Sequence, residues 1–507
     1  MEPFLPGPPE DAPVVLFVTD NGHGLGHLTR MLAVARRAGG RFRPLFLTLS
    51  EAYPVLKDWG MPVEYMPSYR RMAMTRASFQ PIFARRLLAL LNHVRPRAVV
   101  VDHIHPLPVM GQIRGLSRGI EWVWSRRGMW RRGFNVDALA RSANFDTILE
   151  PSDVAAPMDA GATMYDRDRV VTVPPVVLIP PDEQLPRDRA REELGLPREG
   201  KAVLILLSDS ETEKLASLIG RVRDVVREVA GPDTSLFAPL HILHRGRLPV
   251  IEGVAMKPVY PMSRYLQGFD AVVSTAGYNS YHEVVASGVP AVFVARDTNS
   301  LDDQKRRAEF GALAGRSYYS SGVFEADFPE MIARALRPGE REIAARVTAE
   351  LGSFDGAGAA ADFLASRVLA RRWEPYEVPT AADLGLRSVP LPFRSGDLDP
   401  GVDPSTLAAI GYLLIGSGEE WTRDEVSRVA ERYRAEGGMF RPVFLIDDVD
   451  PIVFGGTGFV FETVLTRDEW DGVASGSYDD YLAERLAAFP DAYHLDRIED
   501  LRPVTIA

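Results

Sequence analysis

Two short stretches of this 507-residue chain space their side chains in ways that suit chemistry on a phosphorylated, hydroxyl-rich ligand. The first runs from residue 269 to 304 and reads FDAVVSTAGYNSYHEVVASGVPAVFVARDTNSLDDQ. An apolar strand over 272–274 leads into Gly277, which permits a tight turn and a close approach by a ligand. A helix is expected to start at Asn279 or Ser280, both good N-caps. Its free N-terminal amides and positive dipole form a ready phosphate site. Glu283 lies about one turn in, where a carboxylate can accept from the two hydroxyls of a ribose. Gly288 and Pro290 stop the helix, a strand follows over 291–295, and Asp302, Asp303 and Gln304 stand on the loop beyond it, able to hold sugar hydroxyls.

The second stretch, DNGHGLGHLTR over 20–30, follows an apolar strand directly. Gly22, Gly24 and Gly26 allow close approach, and His27 stands at a helix start. Histidine can take a proton near neutral pH, so His27 is the first candidate for a base and His23 the second. Asp102 ends another strand on the carboxyl edge where open α/β sheets bind ligands. It either orients an imidazole or serves as the base itself. His103 and His105 read as loop histidines beside Pro106. His23 and His27 have H-x-x-x-H spacing, but Gly24 and Gly26 between them predict a loop rather than a helix, so no metal is expected.

The elements that must position these residues alternate along the chain. Apolar runs at 14–19, 45–49 and 98–101 alternate with helical spacing at 28–37 and 78–93. This rhythm predicts a doubly wound parallel sheet. Five prolines within 173–188 predict an interdomain linker that hinges the cleft. A second βαβ series opens at 202 and runs to about 370, and another proline-rich stretch covers 375–401. The tail alternates again, so the expected units are 1–180, 190–372 and a small α/β unit over 402–507. GGTG at 455–458 superficially resembles a phosphate loop, yet a strand follows it and it reads as a hairpin turn.

Composition narrows the field. The chain is 46% hydrophobic and 25% charged, as ordinary globular proteins are. It has no cysteine, which excludes disulfides, thiolate metal sites and a cysteine nucleophile. No apolar run approaches a membrane span, and the acidic, proline-rich N-terminus is not a signal peptide, so a cytoplasmic location is expected. Of the net charge of −11, residues 381–507 hold −13 and the rest +2. The acidic balance argues against nucleic acid, and the break in charge marks the tail as a separately evolved or separately exposed module, a candidate oligomerisation surface. Arg70, Arg71, Arg76, Arg85, Arg86, Arg126, Arg127, Arg131 and Arg132 lie near Phe79, Phe83, Trp124 and Trp130. They read as a solvated face, or alternatively as a basic face for an acidic acceptor or a peripheral membrane contact, and one of Arg126 and Arg127 is placed to reach a phosphate.

The segment at 269–304 resembles the donor-binding region of GT-B glycosyltransferases. It is most similar to the family that adds N-acetylglucosamine to the lipid-linked peptidoglycan precursor and to its actinobacterial relatives. That family's Gly-x-x-Ser/Thr-x-x-Glu run reads here Gly277, Ser280, Glu283, and its sugar-contacting pair reads Asp303, Gln304. The glycine loop ending in His27 resembles the family's acceptor-facing loop, with Leu25 standing between glycines that are often adjacent. The resemblance spans about 13–370. It implies two Rossmann-like domains facing a cleft, with Ser280 on diphosphate, Glu283 on ribose and the base read by backbone near Met262. Ser208 is a further phosphate contact, although Asp209 replaces a common glycine. It also implies metal-free, inverting transfer from a UDP- or dTDP-sugar, used as a co-substrate with no cofactor, to a small-molecule or lipid-linked acceptor. The same fold hosts nucleotide-sugar hydrolases and epimerases, and a non-catalytic binding module is the third reading.

Overall fold

The computed structural model describes residues 11–20, 25–207, 211–242, 250–294, 302–370, 372, 375–386, 393–398, 401–474 and 476–503. His23, Gly24 and Ser208 lie outside them.

Seven parallel strands form the first sheet: β1 (Val14–Thr19), β2 (Arg43–Thr48), β3 (Val63–Tyr65), β4 (Ala98–Asp102), β5 (Glu121–Ser125), β6 (Thr147–Pro151) and β7 (Val170–Val173). Their order is β3-β2-β1-β4-β5-β6-β7. The second sheet holds β8 (Ala202–Leu206), β9 (Ser235–Leu240), β10 (Ala255–Pro258), β11 (Ala271–Thr275), β12 (Ala291–Val294) and β13 (Tyr318–Ser320), in the order β10-β9-β8-β11-β12-β13. The third holds β14 (Ala408–Leu413), β15 (Phe440–Ile446), β16 (Val460–Thr463) and β17 (Arg497–Asp500), ordered β16-β15-β14-β17. Runs such as VVLFVT and AVVVD lack polar alternation because helices cover both faces of a parallel sheet. Each sheet is wound outward in both directions from its first strand. Each therefore has a switch point where two crossovers diverge and strand carboxyl ends are left uncovered. In the first sheet that point lies between β1 and β4, where Thr19 stands beside Asp102.

Five helices matter below: α1 (Gly26–Arg36), α2 (Arg76–Val94), α3 (Tyr278–Ser287), α4 (Gln304–Leu313) and α5 (Gly356–Ala370). The stripe Phe79, Ile82, Phe83, Leu87, Leu90 and Leu91 of α2 is buried, as its spacing predicts. Helix α5 ends the second βαβ series yet packs back on the first unit. Its Ala357, Ala360, Ala361 and Leu364 share a core with Leu28, Leu32 and Ala35 of α1. Small side chains let the two helices approach closely. Gly356 is required at the start: a Cβ there would stand 1.9 Å from the Pro174 carbonyl oxygen.

Three expectations need correction. The proline-rich stretch at 173–188 is not a free hinge. Val176, Val177, Leu178 and Ile179 are buried, and Val176 forms a backbone bridge with Asp355. Apolar residues between the prolines pull this stretch into the cores of both units. The tail is not a separately exposed module either. Edge strand β16 abuts edge strand β3, where the Tyr65 N–H donates to Thr463 Oγ1 at 2.7 Å. Arg86 holds Glu64 at 2.6 Å and donates to the Thr463 carbonyl, while Arg485 holds Glu462 at 2.7 Å. Tyr481 donates to Glu64 and Tyr493 to Glu462. Finally, GGTG at 455–458 cannot be a hairpin turn, because β15 and β16 are parallel and the segment belongs to a crossover.

The arginine face is broken up, although Arg70 and Arg132 are exposed as a solvated face requires. Arg86 and Arg126 are buried against interior carboxylates, Arg71 pairs with Glu51 at 2.8 Å, and Phe79, Phe83, Trp124 and Trp130 lie in the core. Buried acids, invisible to linear spacing, draw these cations inward. Among the described residues no helix is long and apolar enough to cross a membrane.

Candidate active site

The site is built where the switch point of the first sheet meets the N-terminus of α3 from the second. Asp102, at the end of β4, is 1% exposed and accepts four hydrogen bonds. His27 Nδ1 lies 2.5 Å from its Oδ1. Arg30 donates Nη2 to Oδ1 at 2.7 Å and Nε to Oδ2 at 3.1 Å, and Ser125 Oγ donates to Oδ2 at 3.0 Å. Burial pushes the Asp102 pKa up, but Arg30 and His27 outweigh it and hold the carboxyl well below the usual carboxylate range. An ionised carboxylate at 2.5 Å requires a proton on Nδ1, so the Arg30 Nη2 contact to His27 at 3.2 Å is two donors sharing one acceptor. In the neutral ring this tautomer puts the lone pair on Nε2, where a general base needs it.

Helix α3 approaches this group from the other side. It begins at Tyr278 with Gly277 as N-cap, one or two residues earlier than the sequence suggests. Asn279 and Ser280 fall inside the first turn instead of capping it. The reason is tertiary: Asn279 Nδ2 donates to the Gly26 carbonyl at 3.3 Å, and Asn279 Oδ1 accepts from Arg30 at 3.4 Å. Helix α1 likewise starts at Gly26, two residues ahead of the expected start, with His27 and Arg30 one turn apart on one face. Ser280 is half-buried in the first turn of α3.

Glu283 sits against the linker. Burial raises its pKa to about 7, and the Leu178 N–H and the Ser263 hydroxyl beside it pull the other way. Met262 opens the turn Met262–Gly268, just after Tyr260, whose hydroxyl meets Thr29 Oγ1 at 2.8 Å across the two units. The loop before α4 is more tightly engaged than its sequence implies. Asp303 caps α4 by accepting from the Arg306 N–H at 3.2 Å, and its own N–H donates to the Met129 carbonyl at 2.9 Å. Gln304 is the first residue of α4, and its Oε1 is buried with no hydrogen-bond partner among the described residues.

Several residues at this junction escape a linear reading. Buried Arg307 binds Asp302 at 2.7 and 3.0 Å, Asp153 at 2.8 Å and the Ala276 carbonyl at 2.6 Å. Burial opposes ionisation of Asp153 and Asp302, yet Arg307 outweighs it and holds both carboxyls low. His282 accepts from the Val154 N–H at 3.1 Å through Nε2, so its Nδ1 donates to the Tyr278 carbonyl at 2.7 Å. The Tyr278 hydroxyl donates to the Ser152 carbonyl at 3.0 Å. Trp130 and Asp302 form an antiparallel bridge between the two units. Arg30 left a sequence signal, its i+3 spacing from His27, whereas Arg307 and Asp153, His282 and Val154, Tyr278 and Ser152, and Trp130 and Asp302 are joined across more than a hundred residues of chain. His103 does lie on the loop after β4, but its side chain is buried: its carbonyl accepts from Trp124 Nε1 at 2.9 Å, and burial lowers its pKa to about 4.

No protein-family model matches this sequence, and no curated protein does either. Solved structures do match. The glycotransferase of kitacinnamycin superposes with a TM-score of 0.50 at 17% identity, covering 70% of this chain and 99% of that one. The spinosyn forosaminyltransferase SpnP gives 0.49 at 14% identity, over 70% and 99% of the two chains. The glycosyltransferase VinC, solved with dTDP, gives 0.49 at 15% identity, over 71% and 100%. Two doubly wound parallel units that meet at the switch point of the first, with a C-terminal helix crossing back, give this chain the GT-B fold, extended here by a third small α/β unit.

Proposed function

We propose that this chain is a glycosyltransferase that moves a sugar from a UDP- or dTDP-sugar to a small-molecule or lipid-linked acceptor, by direct displacement with inversion and without a metal. The observation that carries the reading is the junction of the His27–Asp102 pair with the first turn of α3, bridged by Asn279. The kitacinnamycin glycotransferase, which shares the fold, supports it by its name. In this reading the acceptor hydroxyl loses its proton to His27 Nε2 as its oxygen attacks the anomeric carbon. The bond from that carbon to the diphosphate oxygen breaks, and the electron pair leaves with the diphosphate at the N-terminus of α3. Asp102 keeps Nδ1 protonated and stabilises the imidazolium as it forms. Ser280 contacts phosphate, Glu283 the ribose, and Gln304 the sugar. Asp303 has less to offer, because it caps α4.

The test incubates the purified full chain with UDP- and dTDP-sugars, first alone and then with acceptor panels, and follows products by mass spectrometry. Transfer that requires an acceptor is expected. Donor breakdown without acceptor would shift the assignment to a hydrolase or epimerase. A melting temperature unmoved by every nucleotide-sugar would reject the donor site.

A further inference from the structure

Strand β5 runs into two consecutive arginines with different surroundings. Arg126 is buried and neutralised by two carboxylates: it donates to the Asp166 carboxylate, to the Asp166 carbonyl at 2.8 Å and to Glu150 at 3.3 Å. Arg127 turns toward the second unit. Its guanidinium carbon lies 5.6 Å from the ring centroid of Tyr278, the first residue of α3. Arg30 and Arg307 each stand 5.8 Å from the same centroid. Those two are neutralised by close carboxylates, Asp102 for one and Asp153 with Asp302 for the other. Arg127 reaches Asp302 Oδ2 only at 3.6 Å, and that oxygen already accepts from Arg307 at 3.0 Å. Three guanidinium groups thus crowd one ring, and the carboxylate nearest Arg127 is committed elsewhere. Burial lowers the pKa of Arg127, Asp302 opposes this, and the neighbouring cations Arg30 and Arg307 add to the lowering. A dianionic ligand beside it would relieve that crowding. Gln304 Oε1, buried and without a hydrogen-bond partner among the described residues, is a second sign of a ligand site here. The Gln304 Nε2 lies 3.9 Å from where a Cβ on Gly277, the N-cap of α3, would stand.

We infer that Arg127 binds the donor's diphosphate across the cleft, from the first sheet, while α3 supplies backbone amides from the second. The inference rests on the donor-site reading above. As the anomeric C–O bond breaks, negative charge builds on the departing diphosphate, and the guanidinium meets it without giving up a proton. Leaving-group stabilisation is thereby tied to apposition of the two units. Arg127 is held in place by the Trp130–Asp302 bridge and the Asp303-to-Met129 hydrogen bond.

The test uses the full chain as wild type, R127M and R127K, with melting temperatures recorded first. Calorimetry then compares UDP, dTDP and inorganic pyrophosphate with uridine and thymidine. Loss of a charge-assisted contact predicts a roughly 10- to 100-fold weaker affinity of R127M for the three diphosphates, partly restored in R127K, with the nucleosides unchanged. If nucleosides and diphosphates weaken alike, Arg127 is only structural and the inference is overturned. If R127M binds diphosphates normally while E283Q loses affinity for uridine and thymidine, the donor site stands and Arg127 is excluded from it. If wild type binds none of the five, the donor reading falls and takes the inference with it. Should R127M fail to fold, R127K decides. A loss of about threefold or more confined to diphosphates supports the inference, because lysine lacks the bidentate fork, and equal losses overturn it.

Discussion

Replacing Asp102 by asparagine tests the centre of the site. The amide keeps the shape of the side chain and removes its charge. Arg30, with its side chain 3% exposed, then loses both of its charge-assisted bonds and becomes an uncompensated buried cation. Breaking a buried pair from one side costs about 3–5 kcal/mol. The pH dependence follows from the sign of the shift. The folded-state pKa of Asp102 is depressed, so its contribution is complete above the unfolded value of about 3.9 and is lost as pH falls toward the folded value. Urea unfolding of wild type and D102N, followed between pH 3 and 8, should therefore show a stability gap that is flat from about pH 5 to 8 and narrows below about pH 4. Turnover should fall by about 10²- to 10⁴-fold even in folded D102N, since an amide no longer fixes the proton on His27 Nδ1. A variant as stable as wild type at pH 7 that retains full turnover would refute both the electrostatic argument and the assignment of His27 as base.

Glu283, raised to about 7, opposes folding as pH rises from 4.5 toward 7, because the unfolded chain ionises first. E283Q should flatten that loss of stability. It should also abolish the tightening of UDP or dTDP binding that ionisation through pH 7 brings to wild type, as read by calorimetry at three pH values. R307M leaves Asp153 and Asp302 buried together without their cation, and chemical unfolding should report about 3–5 kcal/mol of destabilisation. G356A drives a methyl group into the Pro174 carbonyl and should cost about 1–3 kcal/mol or more, visible as a lower melting temperature and as faster hydrogen exchange in α5.

Much of the scaffold was legible in the chain. VVLFVT, AVVVD, AVLIL and AVVST are continuous apolar runs that only a doubly covered parallel strand accommodates, and the alternation between runs set the winding of the units. Gly277, Ser280 and Glu283 lie within seven residues, so local geometry alone carried them onto one helix start. Strand and helix are decided by neighbours in sequence, and periodicity reports them. Pairing between distant charges leaves no such trace. Arg126 and Arg127 are adjacent and alike in sequence, yet one is sealed between Glu150 and Asp166 while the other faces Tyr278. Asp302 and Asp303 read as twin sugar ligands, but one is taken by Arg307 and the other by the end of α4. The acidic tail looked detached because net charge is a sum over a whole segment and says nothing of which charges pair. Its attachment rests on Glu64, Arg86, Glu462 and Arg485, whose charges cancel in the interior. Composition and periodicity are properties of the chain, and they determined the layers. Which carboxylate each buried arginine meets is a property of the packed interior, where an unpaired charge is too costly to tolerate, and only the tertiary structure decided it.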